Sequence, residues 1–169
     1  MTGSPRFRAW LKDGLARSVE LRPRFEAKLA AAGLPVDLAA VPLIESGYTN
    51  MRPEELSPKV PAWQRGAGYW MFIPTTARQY GLVVTDTRDE RYDIDKETTA
   101  AIALLSDSYA HLGDWGLALA AYNQGEKAVH AALAKGPGTA MELADRGDLN
   151  DYVELVYAAA ILMEDPGLL

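Results

Sequence analysis

The chain has 169 residues, with 17 Lys and Arg against 23 Asp and Glu, and its formal net charge is −6. With 49% hydrophobic residues, it has the composition of one folded domain, which excludes a disordered or low-complexity chain. Because the sequence has no cysteine and only two histidines, we expect no disulfide, no thiol nucleophile and no metal site.

Charge and hydropathy also restrict partners and location. The acidic excess argues against a nucleic acid as the main partner, because neutralising phosphates requires a dense basic patch. No apolar run reaches the roughly 18 residues that cross a bilayer, and the first ten residues lack the apolar segment of a signal peptide. We therefore expect a cytoplasmic chain or one that has lost a targeting segment, with a monomer as the default.

Prolines and glycines delimit the predicted helices of the first part of the chain. A first helix begins at Pro5, and a second begins at Pro23 and ends at Gly33. A third is expected over about residues 35–46, where Pro42 should bend it or shorten its start.

Residues 48–73 show no hydrophobic period and contain several prolines and glycines. A loop of this length in a compact domain is usually functional, so we expect an active-site loop or a small hairpin there. A short helix follows over residues 74–80. The acidic stretch 86–95 is predicted to form ion pairs through Arg88 and Arg91.

The remaining segments are also helical. Asp95 is predicted to cap a long helix, and residues 115–123 form a nearly all-apolar, buried one. Two shorter pieces and a final helix over residues 152–163 complete the chain. The sequence thus predicts an all-α single domain, 1–169, in which helices in 1–34 precede a core in 35–169; an α-dominated α+β fold is the alternative.

Glu45 is the first candidate for chemistry. It stands at the C-terminal end of an apolar helix, where the helix dipole and apolar neighbours both raise the pKa of a carboxyl group. A carboxyl that stays protonated near neutral pH can act as a general acid. The alternative is an exposed glutamate at a helix end.

Two further candidate segments contain aromatic residues. Tyr122 and Asn123 close the apolar helix, where they either face a cleft or fill the core and cap the helix. In the segment GAGYWMF, residues 66–72, small residues precede Tyr69, Trp70 and Phe72, which offer aromatic surface of the kind that stacks on sugar rings. The alternative is a hydrophobic connector to the next helix.

Five ordered blocks together resemble the lytic murein transglycosylases. The similarity is to their family 1 catalytic domain of the goose-lysozyme type, in particular the membrane-bound transglycosylase D branch, and it covers about residues 5–163. The blocks are LPVDLAAVPLIESGY, GAGYWMFIPTTARQYGL, DERYDID with TTAAIALL, DWGLALAAYNQGE and DYVELVYAAAI. The resemblance implies a mostly helical, lysozyme-like fold.

The resemblance also implies a reaction that needs neither cofactor nor metal. Such enzymes cleave the β-1,4 bond between N-acetylmuramic acid and N-acetylglucosamine in peptidoglycan. Glu45 would protonate the glycosidic oxygen and then remove a proton from the C6 hydroxyl of the muramic acid, which closes a 1,6-anhydro ring. The family acts in the periplasm or at the cell envelope, which favours a removed signal or anchor.

Other residues take their expected roles from the same resemblance. Tyr122 would hydrogen-bond and position Glu45, and Ser46 would help to orient it. The residues expected to line the sugar cleft or contact the substrate are Ser57, Gly68, Tyr69, Met71, Asn123 and Tyr152. Met71 departs from the family pattern, which usually has Gln at this position, and the loss of one hydrogen bond to a sugar would weaken binding by roughly 1–3 kcal/mol.

Two other functions stay open. A muramidase on the same fold would use water in place of the C6 hydroxyl and would need a second carboxylate. Candidates for that carboxylate are Asp86, Asp89, Glu90 and Asp93. A non-catalytic module that holds glycan strands is the other alternative.

Overall fold

The computed structural model describes residues 4–56 and 59–169. Within these residues it contains eight α-helices, short 3-10 helices and isolated β-bridges, with no extended strand. The α-helices are α1 Pro5–Ala31, α2 Val41–Ser46, α3 Pro74–Gln79, α4 Ile94–Leu112, α5 Trp115–Gln124, α6 Glu126–Lys135, α7 Ala140–Asp145 and α8 Tyr152–Glu164. The 3-10 helices are Val36–Ala40, Pro53–Glu55, Ala62–Gln64, Glu90–Tyr92 and Pro166–Leu168. The predicted all-α class is confirmed.

The chain divides into two compact units. The first is Met1–Ile102 with Ala159–Leu169, and the second is Ala103–Ala158. Helices α1 to α3 belong to the first unit and α5 to α7 to the second. A single catalytic domain with the predicted internal boundary at residues 34 and 35 stays a prediction.

The N-terminal segment forms one helix, so the expectation of two helices separated at Pro23 is wrong. Pro23 lies inside the 27-residue helix α1. It removes the N–H that would bond the Val19 carbonyl, but Val19 is 77% exposed, so water can satisfy this turn. Leu15 before the proline and Phe25 after it are both buried, and their packing holds the helix together on either side.

The first unit has its core where α1 crosses the short helices that follow it. The 3-10 helix Val36–Ala40 precedes α2, which has Pro42 in its first turn, so the proline shortens the predicted helix. A Cβ on Gly14 of α1 would lie 2.7 Å from Leu43 Cδ1 and 3.2 Å from Gly47 Cα, so a larger residue at this position would require Leu43 to move. The position of α2 is thereby tied to α1.

An aromatic cluster extends this core. The Phe25 ring lies 5.5 Å from that of Tyr48 and 5.7 Å from that of Trp70, measured between centroids. All three side chains are at most 1% exposed. The cluster thus joins α1 to the chain that follows α2 and to the segment that precedes α3.

The start of α4 differs in one detail from the expectation. Asp93, and not Asp95, caps the helix: its Oδ1 accepts from the backbone N–H of Asp95 at 3.1 Å and of Lys96 at 3.2 Å. Asp95 is one residue inside the helix and pairs with Arg24 of α1 at 2.6 Å and with Lys28 at 3.3 Å. The carboxylate predicted to be a cap therefore links two helices.

The second unit is organised around α5. Gly116 to Ala121 are all buried, as the apolar sequence predicts. Asp114 caps the helix by accepting from Leu117 N–H at 2.8 Å, and the Trp115 ring stacks on Tyr109 with centroids 4.1 Å apart. Helices α6 and α7 pack against α5.

Candidate active site

Glu45 occupies the last turn of α2 and is half-buried. The helix ends at Gly47, whose φ of 58° is left-handed, and the Gly47 carbonyl accepts from Arg17 Nε at 2.8 Å. The backbone after Glu45 is thus fixed by a glycine cap and by a side chain of α1. The raised pKa expected for Glu45 stays a prediction.

Ser46 links this helix end to the segment of residues 65–72, which we call the clamp segment. Ser46 is 3% exposed, and its Oγ lies 2.8 Å from the Tyr69 carbonyl oxygen and 3.0 Å from that of Pro42. Because the hydroxyl has one proton, it donates to one of these two carbonyls at a time. Ser46 is therefore a structural neighbour of Tyr69, and its predicted role beside Glu45 stays a prediction.

The clamp segment makes a tight reversal. Ala67 N–H donates to the Phe72 carbonyl at 3.1 Å, and Gly68 N–H donates to that of Met51 at 2.9 Å. Between them Met71 has a φ of 54°, a left-handed value that is uncommon outside glycine. The small hairpin considered for this region is present only as isolated bridges.

A buried carboxyl group, absent from the residues predicted for the site, holds the tip of the clamp segment. Glu97 of α4 is fully buried, and its Oε1 accepts from Tyr69 N–H at 3.1 Å while Oε2 accepts from Trp70 N–H at 3.4 Å. Burial raises the pKa of Glu97 to about 8, against the lowering effect of these two backbone bonds. At neutral pH this carboxyl is therefore largely protonated.

A signal for Glu97 exists in the sequence. It lies three and four residues before Ala100 and Ala101, which are buried on α4, and this spacing puts it on the buried helix face. A glutamate at such a position needs a partner inside the protein. Here the partners are backbone amides, which no side-chain motif reveals.

A buried cation holds the two ends of the clamp segment. Arg91 is 3% exposed, and its Nη1 donates to the Arg65 carbonyl at 3.0 Å and to the Phe72 carbonyl at 2.9 Å. Its charge is balanced by Asp89 at 2.6 Å. Together with the Arg88–Glu90 ion pair at 2.5 Å, this confirms the ion pairs predicted for the acidic stretch.

The aromatic residues of the clamp segment are mostly core. Trp70 is fully buried, with its indole N–H bonded to Thr98 Oγ1 at 3.1 Å, and Phe72 is 3% exposed. The idea that both offer surface to a sugar is therefore wrong, because they anchor the segment from inside. Tyr69 is half-buried and remains a candidate, and burial followed by the charge of Glu97 raises the pKa of its hydroxyl.

The other predicted site residues lie in the second unit. Tyr122 is half-buried and Asn123 is exposed at the end of α5, whereas Tyr152 at the start of α8 is only 5% exposed. Asn150, which no sequence motif indicates, joins two of them: its Nδ2 donates to Asn123 Oδ1 at 2.9 Å, and its Oδ1 accepts from Tyr152 N–H at 3.2 Å.

Comparison with known proteins agrees with the resemblance. The model of the transglycosylase SLT domain matches residues 23–142, a range that contains Glu45, the clamp segment, Glu97 and Tyr122. The chain belongs to the transglycosylase SLT domain family.

Relatives of this SLT domain include the membrane-bound lytic murein transglycosylase D of Escherichia coli strain K12. The two are 31% identical over 139 residues, which are 79% of this chain and 29% of the relative. The protein of the same name from E. coli O6:H1 gives the same identity and coverage. The chain thus spans less than a third of the length of these relatives.

One residue predicted to contact the substrate lies outside the described residues. Ser57 is one of the two residues between 56 and 59 that the structure does not describe, so its predicted contact with substrate stays a prediction. Among the described residues, no group of three or more His, Asp or Glu side chains could hold a metal ion. None of the helices described is long and apolar enough to cross a membrane.

Three carboxylates of the acidic stretch already have structural partners. Glu90 accepts from Lys96, from Val83 N–H and from Arg88, which together lower its pKa to about 2. Asp89 is paired with Arg91, and Asp93 caps α4. Three of the four candidates for a second catalytic carboxylate are therefore engaged in holding the fold.

Proposed function

We propose that the protein is a peptidoglycan lytic transglycosylase, which cleaves the β-1,4 bond between N-acetylmuramic acid and N-acetylglucosamine without water. The observation that carries the proposal is the half-buried Glu45, fixed at the glycine-capped end of α2 within the residues that the SLT domain model matches. The names of the E. coli relatives give the same activity.

In the proposed reaction Glu45 acts twice. Its protonated carboxyl gives a proton to the glycosidic oxygen, and the bond to C1 of the muramic acid breaks. The resulting carboxylate then takes the proton of the C6 hydroxyl on the same sugar, and the C6 oxygen forms a bond to C1. Glu45 ends as it began, and the products are a free hydroxyl on one sugar and a 1,6-anhydro ring on the other.

This assignment is preferred to hydrolysis because of the acidic stretch. A hydrolase of the two-carboxylate type needs a second acidic group as nucleophile or base. Asp89 forms an ion pair with Arg91, and Glu90 forms ion pairs with Arg88 and Lys96. The negative charges of these two carboxylates therefore already stabilise the fold. A mechanism with a single carboxylate makes no such demand.

We further propose the roles that the family resemblance implies for the remaining residues. Tyr122 acts through its hydroxyl in support of Glu45. Ser46, Ser57, Gly68, Tyr69, Met71, Asn123 and Tyr152 contribute to substrate binding. We also propose that the protein is a monomer, and that it acts on peptidoglycan strands in the periplasm or at the cell envelope without cofactor or metal.

The test is mass spectrometry of the soluble products released from purified peptidoglycan. A lytic transglycosylase gives fragments lighter by one water than the corresponding hydrolysis products, because of the anhydro ring. Glu45→Gln should abolish release, whereas Glu154→Gln, which changes an exposed glutamate of α8, should leave it unchanged. Fragments with reducing ends would establish the muramidase instead, and binding to sacculi with no release by the parent protein would contradict both.

A further inference from the structure

We infer that Glu97 is a positioning residue for the reaction: its buried carboxyl holds the tip of the clamp segment, which in turn holds Ser46 and the end of α2 that carries Glu45. The inference rests on the proposed function for its kinetic consequence. Its structural part, the hold on Tyr69 and Trp70, can be measured without any activity.

The connection runs through one residue. Tyr69 donates its backbone N–H to Glu97 at 3.1 Å and accepts at its carbonyl from Ser46 Oγ at 2.8 Å. Ser46 directly follows Glu45, so two hydrogen bonds and two residues, Tyr69 and Ser46, separate Glu97 from the backbone of the proposed acid. A displacement of the Tyr69 backbone therefore changes the support of α2 at its last turn.

The Glu97 carboxyl occupies a space that the absence of a side chain at Gly68 leaves open. A Cβ on Gly68 would lie 2.0 Å from Glu97 Oε2 and 2.1 Å from the Arg91 carbonyl oxygen, so the carboxyl packs directly against the glycine backbone. Arg91 holds the ends of the clamp segment through the Arg65 and Phe72 carbonyls. Glu97 accepts from the amides at its tip, so the two side chains together fix one turn.

Hydrogen bonds, and not nearby charges, hold the Glu97 carboxyl in place. In residues 4–56 and 59–169 no ion pair to Glu97 is formed, and Asp93 before α4 raises the pKa of Glu97 further. The charge of Glu97 also raises the pKa of the Tyr69 hydroxyl. Of the charged groups on α1, Arg24 lowers the pKa of that hydroxyl and Glu20 raises it. Ionising a buried carboxyl without a cation is costly, which is why Glu97 keeps its proton at neutral pH.

Glu97→Gln tests the inference with little change in volume. The amide carbonyl can accept from one backbone N–H, but the NH₂ group would face the other donor, so one bond at the tip is lost. We expect kcat on soluble glycan strands to fall by about tenfold, the rate equivalent of one hydrogen bond, with a smaller change in KM. Leu105→Ala is the control, because it removes a fully buried side chain of the same helix and should lower stability without lowering kcat.

A double-mutant cycle separates positioning from general loosening. If Glu97 acts through Tyr69 and Ser46, the effects of Glu97→Gln and Ser46→Ala on kcat will be less than additive. The effects of Leu105→Ala and Ser46→Ala should simply add. Additive effects in the first pair, or an unchanged kcat in Glu97→Gln beside an active parent, would overturn the inference.

The structural part is tested by NMR on the parent protein. The backbone amide signals of Tyr69 and Trp70 should titrate together with one midpoint, and this titration should be absent in Glu97→Gln. Amides that do not titrate together would overturn the inference even if Glu97→Gln failed to fold. A parent that gives no anhydro products but shows the common titration would instead refute the proposed function and leave the hold on the clamp segment established.

Discussion

The carboxyl group of Glu97 fills the space in which a side chain at residue 68 would begin. A Cβ on Gly68 would meet Glu97 Oε2 at 2.0 Å, and the φ of Gly68 is +80°, a conformation that L side chains rarely adopt. Two independent constraints, space and backbone conformation, therefore require glycine at this position. The position is one residue from Tyr69, whose carbonyl accepts from Ser46.

Gly68→Ala should be unusually destabilising. The new Cβ clashes with both the Glu97 carboxyl and the Arg91 carbonyl oxygen, and the left-handed backbone adds strain, so we expect a loss of about 3 kcal/mol in the free energy of unfolding. Gly81→Ala is a matched control, because Gly81 has a φ of +84° and nothing within 4 Å of its Cβ position. That variant should lose only about 1 kcal/mol. Equal losses in urea unfolding would mean that the clash with Glu97 is relieved at no cost.

Glu97 should give the stability of the protein a distinctive pH dependence. Its pKa is raised from 4.5 to about 8 in the folded chain, so between these values the folded state retains a proton that the unfolded state releases. The stabilising contribution is complete below pH 4.5 and disappears as the pH rises through 8. Within this window the free energy of unfolding should fall by about 1.4 kcal/mol per pH unit relative to Glu97→Gln.

Chemical denaturation at pH 5, 6, 7 and 8 checks this slope. The quantity to compare is the difference between the parent and Glu97→Gln at each pH, since other groups titrate equally in both. A constant difference across the series would show that Glu97 is ionised throughout and that its two amide bonds outweigh its burial.

The helices could be predicted because local sequence signals agree with tertiary packing. The glycine after Ser46 ends α2 as expected, and the apolar run of α5 is buried. Local signals predicted the wrong helix boundary where contacts between residues distant in sequence determine the structure. Pro23 has the sequence context of a helix start, but packing of Phe25 with Tyr48 and Trp70 carries α1 through it.

The site divides in the same way. Glu45 and Tyr122 could be found because both stand in short ordered blocks that resemble a known family. The burial of Glu97 could be inferred from its spacing to Ala100 and Ala101, but its role could not, because its partners are the backbone amides of residues 69 and 70, which any sequence would supply. The prediction for Trp70 failed because an aromatic residue can serve a sugar or a core equally well, and only the fold distinguishes these.

Tyr122→Phe should lower the rate and leave the fold intact. Only a hydroxyl is lost from a half-buried side chain, and if that hydroxyl supports Glu45 we expect kcat to fall by about tenfold. Tyr157→Phe is the control, since this tyrosine of α8 is 42% exposed and no site role is proposed for it. Release of anhydro fragments from peptidoglycan measures both, and an unchanged rate in Tyr122→Phe would reduce Tyr122 to a packing residue.

Met71→Gln should strengthen binding to glycan strands. Met71 stands where the family usually has Gln, and it is half-buried on the clamp segment with a φ of 54°. Because Gln is also unbranched, the substitution adds an amide without a new steric demand on the backbone. One added hydrogen bond should lower Kd by roughly fivefold or more, equivalent to about 1 kcal/mol.

The measurement is equilibrium binding to soluble glycan strands in a Glu45→Gln background, which prevents turnover. Met141→Gln provides the matched control, because Met141 is 45% exposed on α7 and belongs to no predicted contact. It should leave Kd unchanged. If Met71→Gln also leaves Kd unchanged, another donor of the protein already binds the sugar at this position, and the departure from the family pattern carries no cost in affinity.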